Sequence, residues 1–275
     1  MRIIDTHSHI YSKEFNHDRT EIITAAKKAG VCAVLLPNED SGSIEAIHKL
    51  SDEEPDFAFP MMGLHPTSVN MGYIKELQTI ETALTKRPYY AIGEIGIDLY
   101  WDRSYLKEQK IVFEEQLRWS IDMRLPVAIH IREALDEALD SIYKVGADRL
   151  RGVFHCFGGT AREWKEIAEL SSFYAGIGGI ITFNKNELKE TLRHIPVKRV
   201  LLETDAPYLA PVPYRGKRNE PAYIIEIAKK VAECYKMTTD AIATYTFQNS
   251  LDLFNIPINN VDVEVFQYCT RDKTG

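Results

Sequence analysis

Apolar, β-rich runs recur along the 275-residue chain at residues 2–6, 31–37, 57–63, 89–95, 126–131, 152–156, 173–177 and 200–203. Several are apolar at successive positions, as strands buried on both faces of a parallel sheet should be. Amphipathic stretches with helix punctuation stand between them. Residues 18–29 run into Gly30 and residues 133–145 into Gly146, each glycine sitting where a helix would end. Residues 41–50 open on cap-type side chains, 104–123 is long, charged and periodic, and 160–170 starts at Thr160, a candidate N-cap. Strands alternating with helices predict a parallel, right-handed βα repeat. The most economical form is a single-domain α/β fold, a distorted TIM (β/α)8 barrel, closed by helical stretches 221–234 and 238–254. An open doubly wound sheet is the alternative, but no Gly-rich phosphate fingerprint follows the first strand. With no linker, repeat or composition shift, residues 1–255 are expected to form one domain. Residues 256–275 read as a tail with no assigned role.

Bulk composition narrows the function classes. Apolar residues at 45% and charged residues at 27% describe an ordinary globular chain. Cys32, Cys156, Cys234 and Cys269 are scattered, without the close pairs of a zinc ribbon or the density of a disulfide scaffold. Near the start there is no basic run leading into a long apolar segment, and no run of about 18 apolar residues occurs anywhere. A monomeric cytoplasmic protein with reduced thiols, away from membranes, is the expectation. The net charge of −7 argues against a protein that coats nucleic acid electrostatically. It leaves room for a small cationic pocket that handles one phosphate at a time.

The polar residues fall at telling places on the strand map, because barrel enzymes build their sites at the C-terminal ends of strands. His7 and His9 follow the first run at i, i+2 spacing, which turns both imidazoles to one face. His65 follows the third run, Glu94 ends the fourth, His130 the fifth, His155 the sixth, and Asp205 follows the eighth. Singly, each could be a hydrogen-bonded structural residue or a helix cap. Jointly, a histidine or carboxylate closing six of eight apolar strands predicts a metal site at one mouth of the barrel.

Ligand number then separates one ion from two. A hydrolytic zinc needs three protein ligands and an open position. His7, His9, Glu94, His130, His155 and Asp205 supply six, which suits two divalent ions about 3.5–4 Å apart. Glu94 is the natural bridge, with His7 and His9 on one ion and His130 and His155 on the other. Asp205, beside the water between them, would be both ligand and general base. Zn, Mg, Mn and Ni all suit such mixed imidazole and carboxylate donors.

Several motifs together carry a family resemblance. They are Asp5-Thr6-His7-Ser8-His9, Gly63-Leu64-His65-Pro66, Gly93-Glu94-Ile95-Gly96-Ile97-Asp98, His130-Ile131-Arg132, His155-Cys156-Phe157-Gly158-Gly159, Glu203-Thr204-Asp205-Ala206-Pro207-Tyr208-Leu209 and Arg215-Gly216-Lys217-Arg218-Asn219-Glu220-Pro221. In this order they resemble the TatD family of metal-dependent deoxyribonucleases, which belongs to the amidohydrolase-like metal hydrolases. The resemblance spans residue 3 to about residue 254. It implies a distorted TIM barrel, a divalent-metal hydrolase and phosphodiester cleavage of DNA, often from the 3′ end. It also implies the same six metal ligands. Ile97-Asp98-Leu99-Tyr100-Trp101 departs from the Gly-Leu-Asp-Tyr-Tyr version common in the family, so the loop after the fourth strand is expected to differ.

Substrate contacts are read from position. His65, outside the ligand set, is expected to contact a phosphate or leaving group. Arg132, two residues beyond His130, would point the same way and could grip a phosphate bidentately, or else pair with Glu133 or Asp136. Arg215, Lys217 and Arg218 form the dense basic cluster after the eighth strand, where barrel phosphate contacts often lie. Glu203 is expected to be structural. Tyr100, Trp101 and Tyr105 could stack an unpaired base, although ordinary packing is the preferred expectation. The partner is then a DNA end or small phosphodiester. The alternatives are an acyl hydrolase on the same scaffold (a D-aminoacyl-tRNA deacylase, an activity associated with some relatives, or a lactonase or amidase) and a non-catalytic metal-binding scaffold. Many amidohydrolases bridge their metals with a carboxylated lysine; Glu94 in that place tilts the expectation toward phosphoesters.

Overall fold

The computed structural model describes residues 1–184 and 187–258; most of the tail, with Cys269, lies outside them. Eight parallel strands appear in the expected order: β1 (Ile3–Asp5), β2 (Val31–Leu36), β3 (Ala58–Pro60), β4 (Ile92–Asp98), β5 (Val127–Arg132), β6 (Gly152–Phe154), β7 (Phe173–Ile177) and β8 (Val200–Leu202). They pair as two ladders, β1-β2-β3 and β4-β5-β6-β7-β8. Short bridges join the ladders at both seams, Met62 with Ile92 and Ser8 with Ala206. The Thr6 N–H donates to Leu202 O at 3.1 Å and the Asp205 N–H to His7 O at 2.9 Å, tying the first strand to the last. The fold is a distorted TIM barrel.

Alternation along the strands divides the core in two. Ile4, Ala33, Leu35, Phe59, Met61, Ala91, Ala128, Val153 and Leu201 form one buried cluster, while Ile3, Val34, Leu36, Val127, Ile129, Phe154 and Leu202 belong to the other. Neighbouring strand residues thus face opposite sides, lumen and helix layer. Phe247, Leu253, Phe254 and Ile256 join the lumen cluster. They come from and just after α9 (Thr239–Phe254), which contacts β1 and β8 and plugs the barrel floor.

The other helices are α1 (Arg19–Ala29), α2 (Ile44–Glu53), α3 (Tyr73–Leu84), α4 (Leu106–Met123), α5 (Leu135–Val145), α6 (Ala161–Ala168), α7 (Leu188–Leu192) and α8 (Ile224–Tyr235). Gly30 ends α1 at φ 97°, in the left-handed region that glycine tolerates. Thr160 caps α6 in a reciprocal capping box with Glu163. Two helices, α3 and α7, are additional to the seven amphipathic stretches read from the sequence. The largest correction concerns β4, read over residues 89–95 but running over Ile92–Asp98, so Glu94 sits inside this strand rather than at its end. A bulge between Ile92 and Ile95 lies at this point, the kind of irregularity that re-aims a side chain. Among the described residues, no helix is long and apolar enough to cross a membrane.

Candidate active site

Glu94 is the hub of the barrel mouth. Its Oε2 lies 3.1 Å from His7 Nε2 and 3.8 Å from His9 Nε2. Its Oε1 lies 3.0 Å from His130 Nδ1, 3.0 Å from His155 Nε2 and 3.3 Å from His65 Nε2. Asp205 Oδ1 approaches His9 Nε2 at 3.5 Å and His7 Nε2 at 3.9 Å, on the Oε2 side. All six expected ligands therefore converge at one mouth.

Strand parity explains why. His130 and His155 lie two residues beyond Ala128 and Val153, which face the lumen, and the Asn38 carbonyl holds the Glu94 N–H at 3.0 Å. Gly96 permits the close approach of β4 to β5, since a Cβ there would meet His130 O at 1.9 Å.

Partners behind the imidazoles fix which nitrogen faces the site. The Nε2 of His130 lies 2.9 Å from Asp98 Oδ2, leaving Nδ1 toward Glu94. His155 Nδ1 lies 3.2 Å from Glu203 Oε1, an ion-pair separation off the hydrogen-bond line, leaving Nε2 toward Glu94. His9 Nδ1 meets the Tyr11 hydroxyl at 2.9 Å. His65 differs: its Nδ1 accepts the Thr67 N–H at 3.1 Å, so its proton resides on Nε2. An Nε2–H is a donor rather than a lone pair, which suits contact with a substrate oxygen better than metal ligation.

Electrostatics separate the carboxylates by environment. Burial opposes ionisation of Glu94, but His155, His65 and His7, with the hydrogen bond to His130, hold its carboxyl well below the usual range. Burial likewise opposes Asp205, and the His9 contact with the charges of His155 and His7 outweighs it, so Asp205 also stays low. For His155, burial is outweighed by Glu94 and Glu203, and its pKa stands well above the ordinary value. Asp5 goes the other way. Burial pushes its carboxyl up to about 8, despite hydrogen bonds from Thr204.

This donor set fits divalent metal ions. Ligand atoms of His7, His9 and Glu94 lie within 4.8 Å of one another, and Glu94 Oε1 lies 3.0 Å from both His130 Nδ1 and His155 Nε2. Imidazoles held from behind by carboxylates are the usual support for metal-facing nitrogens.

The mouth opens into a cleft of about 1220 Å³ bordered by His9, His65, Glu94, His130, His155 and Asp205. Arg132 also borders it, and pairs with neither Glu133 nor Asp136. Its guanidinium instead lies over Tyr100, 3.5 Å from the ring centroid. The basic loop sits elsewhere. Arg218 forms a two-pronged pair with Asp18, Arg215 lies 4.1 Å over the Phe183 ring, and Lys217 is exposed. None of the three borders the cleft. Tyr100 and Trp101 are 49% and 72% exposed, which overturns the packing expectation for both.

Asp98, Glu203 and Glu39 complete the surroundings without having been read as site residues. For Asp98 and Glu39 a positional signal was present in the sequence; for Glu203 it needs the strand parity that the structure supplies. Asp98 lies at even spacing from Glu94, Glu203 two residues beyond lumen-facing Leu201, and Glu39 just after β2.

Comparisons with known proteins agree with this geometry. Residues 4–255 match the family described as TatD related DNase. The uncharacterized metal-dependent hydrolase YabD of Bacillus subtilis (strain 168) is 36% identical over 261 residues, covering 92% of this chain and 99% of the relative. The 3′-5′ ssDNA/RNA exonuclease TatD of Pantoea vagans (strain C9-1) is 30% identical over 261 residues, covering 92% and 100%. The crystal structure of YjjV, a TatD homologue from Escherichia coli K12, superposes with a TM-score of 0.87 at 28% identity, covering 93% and 99%. Fold, site and relatives agree: the chain belongs to the TatD family and is a metal-dependent hydrolase.

Proposed function

We propose that this hydrolase uses two divalent ions, of zinc, magnesium, manganese or nickel, to cleave phosphodiester bonds at 3′ ends of DNA. One observation carries the reading. The two oxygens of Glu94 face different imidazoles, Oε2 toward His7 and His9 and Oε1 toward His130 and His155. A carboxylate divided in this way suits a bridge between two ions, with Asp205 joining the His7 and His9 side. When bound, the ions would bring the pKa of a water toward neutrality and polarise the phosphoryl oxygen.

The remaining tasks fall to the chain. Asp205, held ionised beside His9, accepts the proton of the attacking water. His65 donates its Nε2–H to a phosphate or leaving-group oxygen. Arg132, which makes no ion pair among the described residues, grips a phosphate from the rim. The exonuclease name of the Pantoea relative supports nucleic acid over an acyl substrate.

The test is a metal-reconstituted panel of single-stranded DNA, duplex DNA, RNA, a chromogenic phosphodiester, a lactone and a D-aminoacyl-tRNA. Turnover confined to the acyl substrates would replace this reading with an acyl hydrolase. Within the panel, Asp205→Asn keeps the shape but removes the base. Its kcat is expected to fall roughly 10²-fold or more, with a smaller change in substrate binding. Near-normal turnover would move the base elsewhere.

A further inference from the structure

Beyond the metal-facing residues, the cleft has an aromatic rim that the proposed chemistry leaves unused. Trp101 borders the cleft and is 72% exposed; Tyr100 beside it is 49% exposed. Their rings meet edge to face, 4.9 Å between centroids. A large exposed ring on a cleft wall forgoes the burial that ordinarily stabilises it, so the Trp101 indole is available to a ligand. Tyr100, itself faced by Arg132, is packed beside it. They are also held in place. Asp98 Oδ1 accepts the Tyr100 N–H at 3.0 Å, while its Oδ2 holds His130 Nε2 at 2.9 Å. One carboxylate therefore fixes both the aromatic loop and a metal-facing imidazole. Arg103 secures the loop from behind, bonding Leu99 O at 3.1 Å and pairing with Glu133 across to the β5 loop.

The charge around the cleft says what kind of ligand this indole would take. Asp136, Glu137, Glu163 and Glu166 border it from α5 and α6. Of the two arginines at its border, Arg162 is paired with Glu166 at 3.1 Å, and only Arg132 makes no ion pair among the described residues. Arg132 lies 3.5 Å from the Tyr100 centroid and 5.5 Å from that of Trp101. A long phosphate backbone tracked along this wall would meet carboxylates rather than cations. A terminal nucleotide would meet one guanidinium and the exposed face of one indole.

We infer that the indole of Trp101, buttressed edge to face by Tyr100, is a stacking platform for the unpaired base at a single-stranded nucleic-acid end, with Arg132 as its one phosphate contact. This rests on the phosphodiesterase reading and adds how the end is chosen. Stacking requires an unpaired base and tolerates any base, so it favours frayed or single-stranded ends over paired ones. It also predicts weak salt dependence, with a slope of log affinity against log salt near about −0.7, the value for a single contact.

Two measurements test the platform. In the first, kcat/KM is compared for a single-stranded oligonucleotide and for the same oligonucleotide with an abasic terminal residue. The parent should prefer the normal end on the order of 10-fold, from base–aromatic stacking. Trp101→Ala should bring that ratio close to one, and Trp101→Phe should keep most of it. A parent indifferent to the missing base, or a Trp101→Ala variant with an unchanged ratio, overturns the platform. In the second, intrinsic fluorescence is followed as the oligonucleotide is titrated into metal-stripped protein. Of the chain's three tryptophans, Trp119 and Trp164 are buried, so quenching reports Trp101. Absence of quenching overturns the proposal. If the protein cleaves no phosphodiester yet is quenched by oligonucleotide, the platform stands and the reaction assignment fails.

Discussion

Carboxylates behind the imidazoles decide what the histidines can do. Asp98 and Glu203 stand behind His130 and His155, each of which turns its other ring nitrogen toward the site. Gly176 makes room for the second of these, because a Cβ there would meet Glu203 Oε2 at 2.2 Å. Asp98→Asn and Glu203→Gln keep the shapes but lose the charges that raise ligand basicity. Each should weaken metal affinity by about 10–100-fold, read by competition with a chromogenic chelator. Unchanged affinity would reduce both carboxylates to packing. The convergence of His7, His9, Glu94, His130, His155 and Asp205 was legible because histidines and acids are conspicuous after apolar runs. Glu203 was not legible in the same way. Its role depends on lumen-facing parity, which the sequence leaves open until the register of β8 against β7 is known.

Strand and helix elements were legible where periodicity was strong and bounded, as in α1 with Gly30 and α6 with Thr160. The boundaries of β4 were not, since the apolar run from Tyr89 begins before the ladder and a bulge displaces its pairing. Loop contacts were the least legible. Arg218 reads as a phosphate ligand by composition, yet it secures the loop after β8 to Asp18 at the start of α1 and accepts company from the Phe15 ring at 4.4 Å. The hydrogen bond from Arg218 lowers the Asp18 pKa. Its stabilisation is therefore complete above the unfolded value of about 3.9 and fades as pH falls through the lower folded value. Asp18 is 39% exposed, so solvent screening limits the pair to about 1 kcal/mol or less. Arg218→Met should lower the denaturation midpoint slightly at pH 7 and match the parent near pH 2. A difference that persists undiminished in acid would assign the effect to packing on Phe15.

At the scale of the whole molecule, the active site straddles the seam that closes the barrel. His7 and His9, the first candidate ligands, follow β1 and Asp205, the proposed general base, follows β8, so the site is only as well defined as that junction. Asp5 is the bolt. It is fully buried, accepts the Thr204 N–H at 2.9 Å, and meets the Thr204 hydroxyl with its other oxygen. His7 lies two residues beyond Asp5, and Asp205 is the neighbour of Thr204. Asp5→Ala would leave the Thr204 N–H without its acceptor in a dry interior, at a cost of about 1–3 kcal/mol. Asp5→Asn retains a carbonyl oxygen for that N–H and offers an amide donor to the hydroxyl, so it should cost clearly less. Denaturant titration of metal-stripped protein checks this through the midpoint, with the slope m unchanged if the same surface is exposed on unfolding. Because the seam sets the spacing of His7 and His9 from Asp205, Asp5→Ala should also lower kcat at saturating metal, and Asp5→Asn much less. Equal losses for the two variants would mean that an amide cannot reproduce the hydrogen bonds by which this carboxyl, its pKa pushed up to about 8 and so mostly neutral at pH 7, joins the two ends of the barrel.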